Sequence, residues 1–259
     1  MLPANTFSQI EERNLLGIRI HLITEVRLHE YITHVIDAKL RALILNVNVH
    51  CYNTVYSNSW LRDFLNHSDI TFCDGSGVLL GAKFFGYQIP ERITYADWMW
   101  NLAALAEQQG FTFFFLGAKP GVAEKAAEKL LTRFPQLKIT TQHGYFDKTS
   151  DSEENKKVVT RINAVKPNIL VVGFGMPTQE QWLKENWAKL EANIALTGGA
   201  VFDYISGELQ RGPRWMTDNH LEWLARLLIE PKRLWRRYTV ENVFFLYLIL
   251  KERFSRKNR

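Results

Sequence analysis

Short apolar runs alternate along this chain with stretches of helical period, and no other property confines its fold as much. Strands are expected around Leu15–Ile23, Ala42–Val49, Ile70–Cys73, Phe111–Leu116, Ile139–Thr141, Ile169–Val172 and Ile194–Leu196. Between them the periodicity predicts helices near Leu28–Leu40, Asn53–Asn66, Gly77–Phe85, Tyr95–Gln109, Val122–Phe134, Ser152–Val165 and Thr178–Lys189. That order predicts an α/β fold with a mainly parallel sheet and helices on both faces. Ligands of such sheets bind beyond the carboxyl ends of the strands, so the turns there are the places to look for function.

The 259 residues, 46% of them hydrophobic, suffice for one α/β core with an appendage. The composition changes after Gly207, which divides the chain into a body, 1–207, and a C-terminal appendage, 208–259. From Arg211 to Arg259 there are 12 Lys and Arg against 5 Asp and Glu, a charge of +7, which leaves −2 for residues 1–210. Such a tail predicts a polyanionic partner. Its cations Lys232, Arg233, Arg236 and Arg237 alternate with Trp235 and Tyr238 and precede the apolar run Val243–Leu250. That mixture fits an anionic membrane surface better than nucleic acid, and predicts a basic amphipathic, membrane-associating helical segment. No stretch reaches the roughly 18 uncharged apolar residues of a spanning helix. Glu11 and Glu12 argue against a signal peptide, and Cys51 and Cys73 read as buried hydrophobes, so the expected compartment is the cytoplasm.

Five turns after strands carry candidate chemistry. In Cys73-Asp74-Gly75-Ser76-Gly77 a single carboxylate ends a strand, placed either to take a proton as a general base or to cap the next helix. Asn46-Val-Asn48-Val-His50 offers amides at a strand end to sugar hydroxyls, or is ordinary strand-end polarity. Gly117-Ala-Lys119-Pro120-Gly121 could present backbone N–H groups to a diphosphate. Gly173-Phe-Gly175-Met-Pro-Thr-Gln179 and Gly198-Gly199-Ala-Val-Phe-Asp203 open space for a ligand beside the backbone, or are plain turn chemistry. Five such turns on one sheet edge favour one shared cleft. The chain contains no Asp-x-Asp and no His/Cys cluster at ligand spacing. The charge of a departing nucleoside diphosphate then falls to helix N-termini or arginines, with Arg92, Arg211 and Arg214 as candidates.

Taken in order, these segments resemble the WecG/TagA/CpsF family of bacterial glycosyltransferases. The likeness runs from about Leu16 to Tyr238. It rests on Asp74-Gly-x-Gly77, Glu91-Arg92-Ile-Thr94 with Ala96-Asp97, Leu116-Gly-x-Lys-Pro120-Gly, His143-Gly-Tyr145-Phe146, Gly173-x-Gly-x-Pro177-x-Gln179-Glu and Gly198-Gly-x-x-Phe-Asp203. Arg211-x-Pro213, Leu221-Glu-Trp223-Leu-x-Arg226-Leu and Glu230-Pro231-x-Arg233 complete the set.

The resemblance implies a Rossmann-like catalytic domain with a C-terminal appendage that touches the membrane and supplies arginines. It implies inverting, metal-independent transfer from a UDP-hexose to an undecaprenyl-diphosphate-linked saccharide at the cytoplasmic face, with no cofactor. Asp74 matches the family's proposed base, and Arg92 and Gln179 match residues expected in its active site. Substrate contacts are expected from Asn46, Asn48, Gly75, Gly117, Lys119, Tyr145, Gly173, Gly175, Gly199, Asp203, Arg211 and Arg214. Asn46 stands where the family commonly has Thr, which leaves the sugar open among N-acetylmannosamine, its uronic acid and glucose. Homo-oligomerisation is also left open. Two other function classes are weaker. A nicotinamide oxidoreductase would carry G-x-G-x-x-G after the first strand, which is absent. A nucleic-acid-binding module would not need the apolar tail.

Overall fold

A computed structural model describes residues 10–219 and 221–257. A hairpin of β1 (Glu12–Leu15) and β2 (Ile18–His21) leads into α1 (Glu25–Asp37), β3 (Ala42–Val47), α2 (Val49–Ser57), α3 (Ser59–Asn66), β4 (Ile70–Cys73), α4 (Ser76–Phe84) and α5 (Tyr95–Gln109). There follow β5 (Thr112–Gly117), α6 (Val122–Arg133), β6 (Lys138–Gln142), α7 (Glu153–Val165), β7 (Ile169–Gly173), α8 (Thr178–Asn186), a 3-10 turn over Trp187–Lys189, β8 (Ile194–Thr197) and α9 (Val201–Ser206). The appendage adds α10 (Arg214–Asp218), α11 (Glu222–Ile229) and α12 (Pro231–Lys257).

Six strands form one sheet in the order β4-β3-β8-β7-β5-β6, and every neighbouring pair is parallel. The pleat sends alternate side chains to opposite faces. Ile44, Phe113, Phe115, Val171 and Leu196 therefore join one core layer, with residues of α1, α5, α6 and α9. Leu43, Leu45, Phe114, Leu116 and Val172 join the other, with residues of α2, α3, α4, α7, α8 and α12. Burial on both faces explains why runs such as Phe113–Leu116 are uninterruptedly apolar. The expected α/β architecture, Rossmann-like with a helical C-terminal segment, is the one observed.

Three local expectations are corrected. Leu15–Ile23 is not a strand of the main sheet. It folds into the separate antiparallel hairpin β1–β2, turned by Leu16 and Gly17, whose φ angles of 52° and 84° suit a two-residue hairpin turn. The predicted strand end Asn48–Val49 and the single helix Asn53–Asn66 are instead two helices. Asn48 caps α2 by accepting from the Cys51 N–H at 3.1 Å, so the helix starts at Val49 and His50 lies in its first turn. It breaks at Asn58, whose backbone leaves the helical region at φ −136° and whose side chain donates to the Thr54 carbonyl. The helical period that the sequence carries from Met216 to Ile229 is likewise divided between two helices, α10 and α11.

Gly207, left-handed at φ 83°, closes α9. Beyond it, α12 lies across α2 and α4. Phe245 and Ile249 are buried in the second core layer, His50 Nδ1 pairs with Glu241 Oε2 at 2.8 Å, and the Asn53 amide donates to the Glu241 carbonyl. Gly81 lets the helices approach, since a Cβ there would meet Ile249 Cδ1 at 3.0 Å and Phe245 Cζ at 3.1 Å.

Candidate active site

All six parallel strands end at one edge, and the predicted turns follow them there. Three adjacent strands each add one polar side chain to a chain of hydrogen bonds. Thr197, ending β8, donates its hydroxyl to Asn46 Oδ1 at 3.1 Å, and Asn46, on β3, donates from Nδ2 to Asp74 Oδ2 at 3.0 Å. Asp74 follows β4 directly. It does not cap α4: Gly75 occupies the cap position, and no side chain bonds there. Desolvation pushes the Asp74 carboxyl up to about 6, reinforced by the negative charge of Glu222 and opposed by Arg92, Arg226 and the Asn46 amide. A helix N-terminus could have made Asp74 a weaker base; burial outweighs it. Ionised at neutral pH and only weakly acidic, Asp74 suits proton abstraction near pH 7.

Asp74 lines a cavity of about 610 Å³ bounded by α2, the β4–α4 turn, α4, α11 and α12. One end is polar, with Asn48, His50, Arg92, Glu222, Arg226 and Arg237; the other is apolar, with Leu79, Leu80, Phe84, Phe245, Leu246 and Ile249. Arg92 is oriented by Glu222 Oε2 at 3.4 Å and by the Thr217 carbonyl at 3.3 Å, both from the appendage. Gly75 and Gly77 let this turn lie against the start of α2: Cβ atoms there would meet Asn48 Cβ at 3.0 Å and Val49 Cγ2 at 2.5 Å.

The glycines on the other half of the edge divide into two kinds. A Cβ on Gly117 would sit 2.3 Å from the Gly173 carbonyl oxygen, and one on Gly173 2.8 Å from that of Gly199. These two positions answer to backbone packing. Gly175 and Gly199, at φ 84° and 55°, have nothing within 4 Å of where a Cβ would stand, so space is open beside them. Lys119 and Tyr145 are exposed near this edge, and Asp203 is half-buried with its carboxyl raised by desolvation.

Gln179 is buried, and both ends of its amide are engaged. Oε1 accepts from the N–H groups of Gly175 at 3.2 Å and Gly199 at 3.1 Å, while Nε2 donates to Glu180 Oε1 at 2.8 Å. It ties the two turns together. Gln179→Ala leaves two N–H groups and a buried carboxyl without their partner. It is expected to lower unfolding free energy by ~1–3 kcal/mol, measured by urea denaturation; an unchanged midpoint would show that the turns hold themselves.

A family model of the WecG/TagA/CpsF glycosyl transferases matches residues 13–259. The chain belongs to this family. Its relatives in the WecG/TagA/CpsF family include a protein of Staphylococcus aureus (strain NCTC 8325 / PS 47), 27% identical over 208 residues, or 80% of this chain and 79% of the relative. Another, of Bacillus subtilis (strain 168), is 27% identical over 224 residues, 86% and 85% of the two chains. Both are named N-acetylglucosaminyldiphosphoundecaprenol N-acetyl-beta-D-mannosaminyltransferase. Family membership decides between the glycosyltransferase reading and the oxidoreductase and nucleic-acid alternatives.

Within this WecG/TagA/CpsF member, the expected site residues fall into groups. Asn46, Asn48, Asp74, Gly75 and Arg92 gather around the cavity. Gly117, Lys119, Tyr145, Gly173, Gly175, Gln179, Gly199 and Asp203 belong to the neighbouring turns and the helices that follow them. Arg211 and Arg214 do not line the cavity. Arg211 grips the Asp97 carboxylate with both terminal nitrogens, one contact at 2.6 Å, and Arg214 is exposed at the start of α10. The cavity cations from the appendage are instead Arg226 and Arg237. Spacing could have found both: Arg226 follows the cavity residue Glu222 by one turn, and Arg237 follows the buried Leu234 by three residues. Glu180 closes the Gly173–Gln179-Glu motif without a role assigned from the sequence; it is buried, pushed up to about 7 by desolvation, and its Oε2 has no partner among the described residues.

Proposed function

We propose that the protein transfers a hexose from a UDP-sugar to a saccharide carried on undecaprenyl diphosphate, by a single displacement that inverts the anomeric centre. The observation that carries this reading is a weakly acidic carboxylate, Asp74, in the same cavity as Arg92, Arg226 and Arg237. Asp74 takes the proton from the attacking acceptor hydroxyl, whose oxygen bonds to the anomeric carbon as the bond to the UDP oxygen breaks. Asn46, held by Thr197, fixes the direction of the carboxylate. The open turns at Gly175 and Gly199, with Lys119, are assigned to the donor. The names of the relatives support N-acetylmannosamine as the sugar and a GlcNAc-bearing lipid as the acceptor.

No helix among the described residues is long and apolar enough to cross a membrane. Trp215, Trp223, Trp235, Val243, Leu246 and Leu250 are nonetheless exposed along the basic appendage. That strip supports peripheral attachment to an anionic membrane face, where each nearby cation adds about 1 kcal/mol.

The test offers a panel of UDP-hexoses with a GlcNAc-diphosphate-polyprenyl acceptor and reads product mass. One UDP-hexose should add its sugar mass to the acceptor. Because Arg92 and Arg226 supply the charge opposite the leaving diphosphate, transfer should persist in EDTA. UDP should raise the melting temperature where NAD does not. Transfer abolished by EDTA and restored by Mg²⁺ would overturn the metal-independent part of the reading, and absence of any product mass would overturn the whole.

A further inference from the structure

We infer that the seam between α4 and α12 is the groove that holds the first isoprene units of the acceptor's lipid, with the acceptor diphosphate at its inner end. This deepens the reading above and rests on it for the identity of the acceptor. The cavity is continuous from Asp74 to this seam, and its character changes along its length. At the inner end Arg237, on α12, complements the acceptor diphosphate, while Arg92 and Arg226 lie with Asp74 at the reacting centre. The outer end is walled by Leu80 and Phe84 from α4 and by Leu246 and Ile249 from α12. An acceptor with a sugar hydroxyl, a doubly charged linker and an apolar chain presents the same three characters in the same order. Catalysis fixes the register: the hydroxyl must reach Asp74, so the acceptor diphosphate falls at Arg237 and the chain runs outward along the seam.

Two further features favour the lipid over simple helix packing. Gly81 brings the two helices into contact at the groove floor. Just outside it the seam is left open, with Leu80 70%, Phe84 41% and Leu246 56% exposed. A folded chain gains from covering such side chains, and here no other part of the described chain does so. At about 610 Å³ the cavity falls within the ~300–1,000 Å³ that encloses a drug-sized ligand. It therefore accommodates the head of the acceptor and the beginning of its chain, with the remainder passing out over the exposed rim.

The experiment compares two soluble acceptors, GlcNAc-diphosphate-farnesyl and GlcNAc-diphosphate-butyl, without vesicles, so that membrane attachment plays no part. The protein should show a KM for the farnesyl acceptor lower by roughly tenfold or more. The double variant Leu80→Glu with Leu246→Glu, both at exposed positions, should bring the two KM values together. Leu80→Met with Leu246→Met should restore the difference. Equal KM values in the parent, or a difference that survives in the Glu variant, would overturn the groove. Competition by monomeric short-chain phosphatidylglycerol at concentrations near the farnesyl KM would assign the seam to membrane phospholipid and also overturn it. Should no UDP-sugar support transfer, the proposed reaction fails. The groove is then judged by calorimetry with farnesyl diphosphate and butyl diphosphate on the same variants, where the same tenfold preference and its loss are required.

Discussion

Asp74→Asn is expected to slow sugar transfer by about 10²–10⁴-fold, the usual contribution of a general base, with UDP binding retained. The substitution keeps the shape of the side chain and leaves an oxygen for the Asn46 amide, which donates at 3.0 Å. What it removes is basicity. The parent enzyme adds a pH signature. With its carboxyl raised to about 6 by desolvation, Asp74 is ionised at neutral pH and gains its proton as pH falls through 6. The rate should therefore decline on the acid side with a midpoint near that value, and the residual activity of the Asn variant should lack this limb. A carboxyl raised in the folded state opposes folding above its ordinary titration range, and that opposition is relieved as pH falls through 6. The Asn variant should accordingly melt no lower than the parent at pH 7.5. Turnover near that of the parent would remove Asp74 from the chemistry.

Arg226→Ala should lower kcat/KM by about 10²–10³-fold, the scale for deleting one preorganised group that meets developing charge. Arg226 lines the cavity beside Asp74 and Glu222, faces the Tyr204 ring at 5.6 Å, and keeps Nε without a partner among the described residues. It also acts on the base, because its positive charge lowers the Asp74 carboxyl. Its loss should move the acid limb above 6, a shift that a merely structural residue would not produce. Arg226→Lys should recover part of the rate but not the two-pronged geometry of guanidinium. An unchanged acid limb together with unchanged kcat/KM would leave the leaving-group charge to Arg92.

These residues differ in how far the sequence exposes them. Helix α5 was legible to the residue, because Tyr95–Gln109 keeps its period until Gly110 turns left-handed at φ 74°. The β4 turn with Asp74 was legible because strand, carboxylate and glycines are contiguous. The hairpin was not, since Leu15–Ile23 is apolar enough for one strand and only Leu16 and Gly17 reveal the reversal through their backbone angles. Asn46 read as a sugar contact; its bond to Asp74 arises from the pairing of β3 with β4, which lies outside any local window. The tail arginines were the hardest. Arg211 and Arg214 stand at the opening of the appendage, where proximity along the chain favoured them. Packing of α11 and α12 brings Arg226 and Arg237 to the cavity lining, while Arg211 is held by Asp97 and by Glu222 at 3.8 Å.

The rim formed by Leu80, Phe84 and Leu246 belongs at once to the cavity mouth and to the exposed apolar strip of the molecule. An enzyme attached by that strip meets its acceptor without either leaving the bilayer. The encounter becomes a search in two dimensions, and the concentration that governs it is the mole fraction of carrier lipid in the plane. A UDP-sugar donor, as proposed, would still arrive from bulk solution, at the opposite half of the sheet edge. The two substrates would thus be metered in different units, one per area and one per volume, and added phospholipid would dilute one without touching the other.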